Sequence, residues 1–500
     1  MTKLRALALL ALGTGLAAGC ADQATPLDPL AGTRATITAD DAGEGRYVVA
    51  FQAAHGSPKG FEERVAALGG RVEALLEPIG GAVVAGLGEA AAAELAAFDG
   101  VRTVGADRSF TLDARGREEP ESEVETASDA AIASATAPHT SLLYSWQWNM
   151  RAIGAETAWR AGQLGSAQVT VAILDTGIDP SGPDLAGRVD LARSRSFVAR
   201  DDSVMRARFP TRALVSDLEG HGTNVASQVA SNGVVLAGVT SRTTLLAVRV
   251  CSVFAGACTD AAVLQGILYA VQQGADVINL SLGGGFLKSE CHGCGALYNR
   301  VLNYAHRKGV VVVAAAGNTR SDLDHDGSFH ANYCGVPNVL CVSATGPTSD
   351  GGGAGPFEGP DQAAAYSNYG RSAVDVAAPG GNFKTGEVRQ GDSTVTRITG
   401  SSFVWSICSR TKLVYNPATR TLLPHICSSR PTSIFLSGYQ GTSQAAPHVA
   451  GLVALLVARH GRDPGLVRDV ILGSVDDLGE PGTDPFYGKG RINVPRALGL

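Results

Sequence analysis

Three short segments carry residue types suited to nucleophilic chemistry. Asp175 closes the apolar run Val171-Ala172-Ile173-Leu174 and precedes Thr176-Gly177. A carboxylate ending a buried strand can fix a histidine tautomer and stabilise an imidazolium. His221 opens the run Gly222-Thr223-Asn224-Val225-Ala226, whose small residues let an imidazole project into a cleft. Ser443 follows Gly441-Thr442 and precedes Gln444-Ala445-Ala446-Pro447-His448. A serine at a helix start lies beside unpaired N–H groups and the positive end of the helix dipole, which favour negative charge on Oγ. Taken singly, each has a commoner role: a turn aspartate, a surface or core histidine, an N-cap serine. Taken together they supply an orienting acid, a base and a nucleophile.

The elements that must position them alternate between strand and helix. Residues 169–175 form a buried-strand run, and 260–273 a helix with Gly274 as its C-cap. Residues 276–281 read as a strand, 296–308 as a helix ending at Gly309, 310–316 as a strand and 443–460 as an apolar helix. This alternation predicts an α/β fold, a mostly parallel sheet with helices on both faces. Such sheets hold their sites at strand ends and helix starts.

The blocks VAILDTGID, HGTNVA and GTSQAAPHVAG, in that order, closely resemble the triad blocks of the subtilases, the subtilisin-like serine proteases. Ala314-Ala315-Ala316-Gly317-Asn318 resembles the family's oxyanion block, and Asn279-Leu280-Ser281-Leu282-Gly283-Gly284 its substrate-binding strand. Residues 366–370 (Tyr-Ser-Asn-Tyr-Gly) and 376–380 (Val-Ala-Ala-Pro-Gly) match as well, so the resemblance spans about residues 146–500. It implies an endopeptidase in which Ser443 attacks the scissile carbonyl, His221 moves the proton and Asp175 orients His221. It also implies that the Asn318 side chain and the Ser443 N–H hold the oxyanion. No cofactor is required for that chemistry. Substrate would add as a strand along Ser281, Leu282 and Gly283. The pocket before the cut would be walled by that strand and by Ala315 and Gly317, small uncharged residues that imply an apolar or aromatic preference. Two positions depart from the pattern: Asn224 stands where many relatives have histidine, and Gln444 where methionine is common.

Asp322-Leu323-Asp324-His325-Asp326-Gly327 fits the start of a calcium loop, although Tyr333 stands where such a loop ends in glutamate. A structural calcium on Asp322, Asp324 and Asp326 is one reading, and a solvated acidic turn is the other. The segment Ser231-Asn232-Gly233-Val234 is shorter than the calcium loop of some relatives. The stretch between Pro379-Gly380 and Gly441 is longer than the family pattern, and residues 411–425 within it read as a hairpin around Asn416-Pro417.

The N-terminal third reads as an export precursor. Lys3 and Arg5 precede an apolar run over 6–18, too short to span a membrane. Leu16-Ala17-Ala18-Gly19-Cys20 resembles a bacterial lipobox, with Cys20 as the lipidated residue; an ordinary secretory signal is the alternative. Residues 1–20 are thus read as the signal, 21–45 as a tether, 46–112 as a small α+β unit of split βαβ type, 113–140 as a linker with a processing site, and 141–500 as the peptidase domain. The α+β unit resembles the family's inhibitory propeptide. Export makes disulfides the default for Cys251, Cys258, Cys291, Cys294, Cys334, Cys341, Cys408 and Cys427, which fall into four close pairs, though many connectivities are open. Expected partners are protein or peptide substrates and the chain's own propeptide. A monomer, secreted or in the cell envelope, is expected, with membrane contact only through a lipid on Cys20. The formal charge of −6 gives no reason to expect nucleic acid. A subtilase relative that cuts only itself or one partner, or binds peptides without cutting, is the alternative reading.

Overall fold

Buried β-branched runs separated by amphipathic helices build the central layer. In this computed structural model, the described residues are 45–112, 122–124, 136–254, 256–283, 286–287, 294–325, 327, 329–330, 333–349, 355–390 and 393–500. Cys20, Cys291 and Asp326 lie outside them. Strands β1 (Tyr47–Phe51), β2 (Arg71–Leu76), β3 (Gly81–Ala85) and β4 (Val101–Ala106), with helices α1 (Phe61–Ala67) and α2 (Glu89–Ala96), form the N-terminal unit. Its sheet is antiparallel in the order β2-β3-β1-β4, the ferredoxin-like arrangement.

The larger unit is built on β5 (Thr170–Asp175), β6 (Arg195–Ser196), β7 (Thr244–Arg249), β8 (Val277–Leu280), β9 (Val311–Ala315), β10 (Val339–Thr345) and β11 (Val376–Pro379). They form one parallel sheet in the order β11-β10-β9-β8-β5-β7-β6. Helices α3 (His221–Val229) and α6 (Thr442–His460) cover one face, through Val225, Val229, Ala446, Val449 and Val453 packed on Val171, Ile173 and Val313. Helices α4 (Asp260–Gln272) and α5 (Cys294–Arg307) cover the other, where Leu264, Ile267, Val301 and Leu302 meet Ala172, Ile278 and Val312. Burial on both faces explains why these strands are continuous apolar runs without alternation.

Alternation does appear in β1, where it has two partners. Val49 and Phe51 face α1 and α2 of their own unit, against Phe61, Val65 and Leu95. Val48 and Ala50 face the larger unit and share a core with Leu268, Leu297 and Val301 of α4 and α5. The N-terminal sheet thus seats on the two helices with one whole face. The Arg300 guanidinium of α5 donates to the carbonyls of Phe51, Ile79 and Gly80 (each 3.1 Å). At the start of α4 the buried Asp107 carboxylate accepts the Ala261 N–H (2.8 Å), and Arg108 pairs with Asp260 (2.8 Å). Past β4 the chain runs on as Ser109–Thr111, antiparallel to Ala257–Thr259.

The long stretch before α6 forms its own sheets. Asn382–Gln390 pairs with Ser393–Ser402. Leu413–Asn416 pairs with Thr421–Pro424 in the hairpin read from the sequence. Val404–Ile407 pairs antiparallel with Ile434–Tyr439, whose outer edge takes up Ser122–Val124 of the linker. Disulfides join Cys251 to Cys258, Cys334 to Cys341 and Cys408 to Cys427, each a close pair along the chain.

Candidate active site

Asp175 is the last residue of β5 and is fully buried. Its Oδ1 accepts the Thr176 N–H (2.7 Å) and lies 2.8 Å from His221 Nδ1. His221 is the first residue of α3, so its side chain meets the carboxylate where strand end and helix start converge. Gly222 allows this approach: a Cβ there would stand 2.2 Å from the Gly177 carbonyl and 3.1 Å from Asp175 Oδ1. The Gly222 N–H donates to Thr176 Oγ1 (2.9 Å), and the His221 N–H to the Glu219 carboxylate (2.7 Å).

Ser443 stands in the first turn of α6, where its N–H has no carbonyl four residues back inside the helix. Pro447 explains a second contact. Lacking an N–H, it leaves the Ser443 carbonyl free of helical duty, and that carbonyl accepts the Ser281 hydroxyl (2.6 Å). Ser281 Oγ is itself held by Asn279 Nδ2 (2.9 Å). The Ser443 hydroxyl donates to the Ser281 carbonyl (3.0 Å) rather than to His221; hydroxyl contacts of this kind tighten onto the base only when substrate is bound. The two site helices are registered by buried Asn149, whose Nδ2 reaches Gln228 Oε1 of α3 (3.1 Å) and His448 Nε2 of α6 (2.9 Å). Burial lowers the His448 pKa to about 4, so this imidazole stays neutral.

Asn318 follows β9. Its Oδ1 accepts the N–H (2.8 Å) and hydroxyl (2.9 Å) of Thr442, which fixes the amide with its NH2 end on the Gly441 side. Gly317 donates to Thr442 Oγ1 (2.9 Å) and adopts φ +100°, and a Cβ there would strike Asn368 Nδ2 at 2.5 Å. Asn368 was not singled out for a role from the sequence, although its Tyr-Ser-Asn-Tyr-Gly block was. Its amide donates to the Ala316 carbonyl (2.9 Å) and accepts from Thr319 N (3.0 Å) and Ser321 N (2.9 Å), so it stitches the loop that presents Asn318. Leu282 and Gly283 lie buried just past the end of β8, with Gly283 at φ +143°.

The electrostatics centre on His221. Burial pulls its pKa down, but Asp175, Glu219 and Asp217 outweigh burial and raise it to about 9. Glu219 is raised to about 7, first by burial, against the opposing pull of His221. Asn224, the departure noted in the sequence, donates from Nδ2 to the Val404 carbonyl (3.0 Å) and Ser406 Oγ (3.1 Å). It ties the inserted strands to α3.

Two of the calcium candidates, Asp322 and Asp324, have protein partners. Asp324 accepts Ser372 Oγ, with hydrogen bonds also from the Ser372 N–H (3.1 Å) and Ala373 N–H (3.1 Å), and Asp322 pairs with His325 (2.9 Å). These contacts staple one loop to another. After α3, buried Asp184 accepts the N–H groups of Val234 (2.9 Å), Val235 (2.8 Å) and Leu236 (3.0 Å), so the short loop is closed by amides.

A buried carboxylate–imidazole pair, a helix-start serine with a free N–H and an oriented amide form a set able to carry acyl transfer. The family model described as "Subtilase family" matches residues 166–490. Thermitase of Thermoactinomyces vulgaris is 31% identical over 72% of this chain and 99% of its own length. The thermophilic serine proteinase of Bacillus sp. (strain AK1) is 32% identical over 72% of this chain and 69% of its own. Among solved structures, fervidolysin from Fervidobacterium pennivorans shares the fold with a TM-score of 0.59 at 23% identity. That match covers 91% of this chain and 61%, less than two thirds, of the other. A lanthipeptide protease matches with a TM-score of 0.52 at 25% identity, over 73% and 98%. Fold, matched span and relatives agree: the chain belongs to the subtilase family and is a serine endopeptidase, a hydrolase whose catalysis requires no cofactor.

Proposed function

We propose that Asp175, His221 and Ser443 form the catalytic triad of a peptide-bond hydrolase made as an inhibited, exported precursor. The observation that carries this reading is the 2.8 Å contact between Asp175 and His221 at the start of a helix packed against the one whose first turn holds Ser443. Ser443 Oγ attacks the carbonyl as His221 takes its proton, and the acyl-enzyme forms with charge on the former carbonyl oxygen. The Ser443 N–H and the Asn318 amide stabilise that charge. His221 then protonates the leaving amine, and water completes the cycle. Substrate lies along Ser281, Leu282 and Gly283, and the uncharged walls at Ala315 and Gly317 favour an apolar or aromatic side chain before the cut.

The N-terminal unit acts as the inhibitor: one face of its sheet is buried on α4 and α5, and its continuation pairs with Ala257–Thr259. Processing in the linker releases it. Lipidation of Cys20 would anchor the precursor and not the released enzyme. Casein hydrolysis by wild type beside Ser443→Ala tests the reading; the variant should lose activity by on the order of 10⁶. Casein hydrolysis that survives the substitution would defeat it.

A restricted specificity is the second reading. It is favoured by the likeness to a lanthipeptide protease and by the long insertion beside the triad. Self-processing without casein hydrolysis would select it.

A further inference from the structure

The insertion between β11 and α6 lies against the loops beside Asp175 and His221 of the proposed triad. Ser409 Oγ and Thr411 Oγ1 both donate to the Asp217 carbonyl (2.6 and 2.7 Å), and the Leu413 N–H donates to the Leu218 carbonyl (2.8 Å). The Arg410 N–H donates to Asp179 Oδ2 (2.6 Å), four residues beyond Asp175. Within this clamp Lys412 is 5% exposed, a rare state for a lysine. Its Nζ donates to Tyr439 Oη (3.4 Å), and Tyr439 stands edge-to-face on the His221 imidazole, with ring centroids 5.9 Å apart. Gly220, immediately before His221, leaves the room: a Cβ there would lie 2.8 Å from Tyr439 Oη and 3.5 Å from Lys412 Nζ.

We infer that Lys412 is a positioning residue for His221, acting through Tyr439. The Lys412 amino group holds the hydroxyl, the ring stays against the imidazole, and the imidazole is kept dry and aimed. This rests on the triad reading above. The groups that face His221 are Asp175 at the end of β5, Asp217 and Glu219 before α3, and Tyr439 from the insertion. All three carboxylates favour the imidazolium. The Tyr439 ring excludes water and so disfavours the imidazolium. Burial lowers the Lys412 pKa to about 7, so the residue is largely the neutral amine over the alkaline range in which His221 titrates. A buried ammonium is a stability cost, which is intelligible where activity gains from it.

The test uses enzyme matured from the full chain, once wild type is active and Ser443→Ala is dead. That comparison separates failure of the triad reading from failure of this one. Lys412→Met should lower kcat by about 10-fold with KM little changed, as a slight misplacement of a catalytic group does. It should also move the acid limb of kcat/KM to higher pH by ~0.5–1 unit, because a loosened Tyr439 ring admits water that favours the imidazolium. Its melting temperature should be unchanged or higher. Lys412→Arg should restore most of kcat. Tyr439→Phe, which keeps the ring and severs the link, should move the limb in the same direction by less. An unmoved limb in both Lys412→Met and Tyr439→Phe would overturn the inference. So would loss of activity with a lower melting temperature, an unmoved limb and no rescue by arginine.

Discussion

The imidazole of His221 gathers three carboxylates around it, and this sets the pH behaviour expected of the enzyme. Its folded-state pKa is raised from 6.5 to about 9. A general base works only when neutral, so kcat/KM should climb through the alkaline range, with an acid limb well above that of a free histidine. The same shift acts on stability. A raised folded pKa means that the charged pair stabilises the fold fully below the unfolded value, and that this contribution is lost as pH rises through about 9. Melting curves of Ser443→Ala, which cannot digest itself, should therefore fall between pH 6.5 and 9, and His221→Ala in that background should flatten the fall. At Asn318 the pinned amide predicts a different signature. Asn318→Ala should cost about 10²–10³ in kcat with little change in KM, because its donor is used only as charge develops. A loss confined to KM would show that the amide binds ground-state substrate instead.

Elements explain how the N-terminal unit seats on helices of the larger unit. Period-two alternation in β1 sends Val49 and Phe51 to its own helices and Val48 and Ala50 to α4 and α5. A one-residue slip would exchange these faces, so the docked register is strongly specified. Asp107 completes the seat by capping α4 at the Ala261 N–H. Removing such a cap costs about 0.5–2 kcal/mol, so Asp107→Ala in the separate N-terminal unit should weaken inhibition of the mature enzyme by roughly 2–30-fold. Burial raises the Asp107 pKa to about 6, against the lowering pull of Arg46. Inhibition constants measured at neutral pH for both forms check the prediction. Equal constants would show that the apolar face alone carries the affinity.

For the molecule as a whole, the prediction concerns maturation. The Ser443→Ala precursor should persist as one chain by intact mass, while wild type resolves into an N-terminal fragment and a released peptidase. Any lipid should stay with the N-terminal fragment in membrane fractionation. A lipid on the peptidase fragment would refute the proposed order of anchor and cut. Among the described residues no helix is long and apolar enough to cross a membrane.

Much of the central layer could be read locally. The runs ending at Asp175, Leu280 and Ala315, the helices over Asp260–Gln272 and Thr442–His460, and the candidate blocks around Asp175, His221 and Ser443 each lie within one short window. Apolar periodicity and compact motifs act over such windows. Strands β7 and β10 carry no motif and were not singled out. Strand β2, Arg71–Leu76, lacks a clean alternation because its pairing with β3 shifts register between Val72 and Ala74. What only the tertiary structure decided joins residues far apart in the chain: Asn224 to Val404, Asn368 to the loop of Asn318, Asp184 to the amides of 234–236, and Lys412 through Tyr439 to His221. Composition and spacing name the groups able to do chemistry. Which buried charge faces which imidazole depends on chain closure over hundreds of residues, and local pattern carries no record of that.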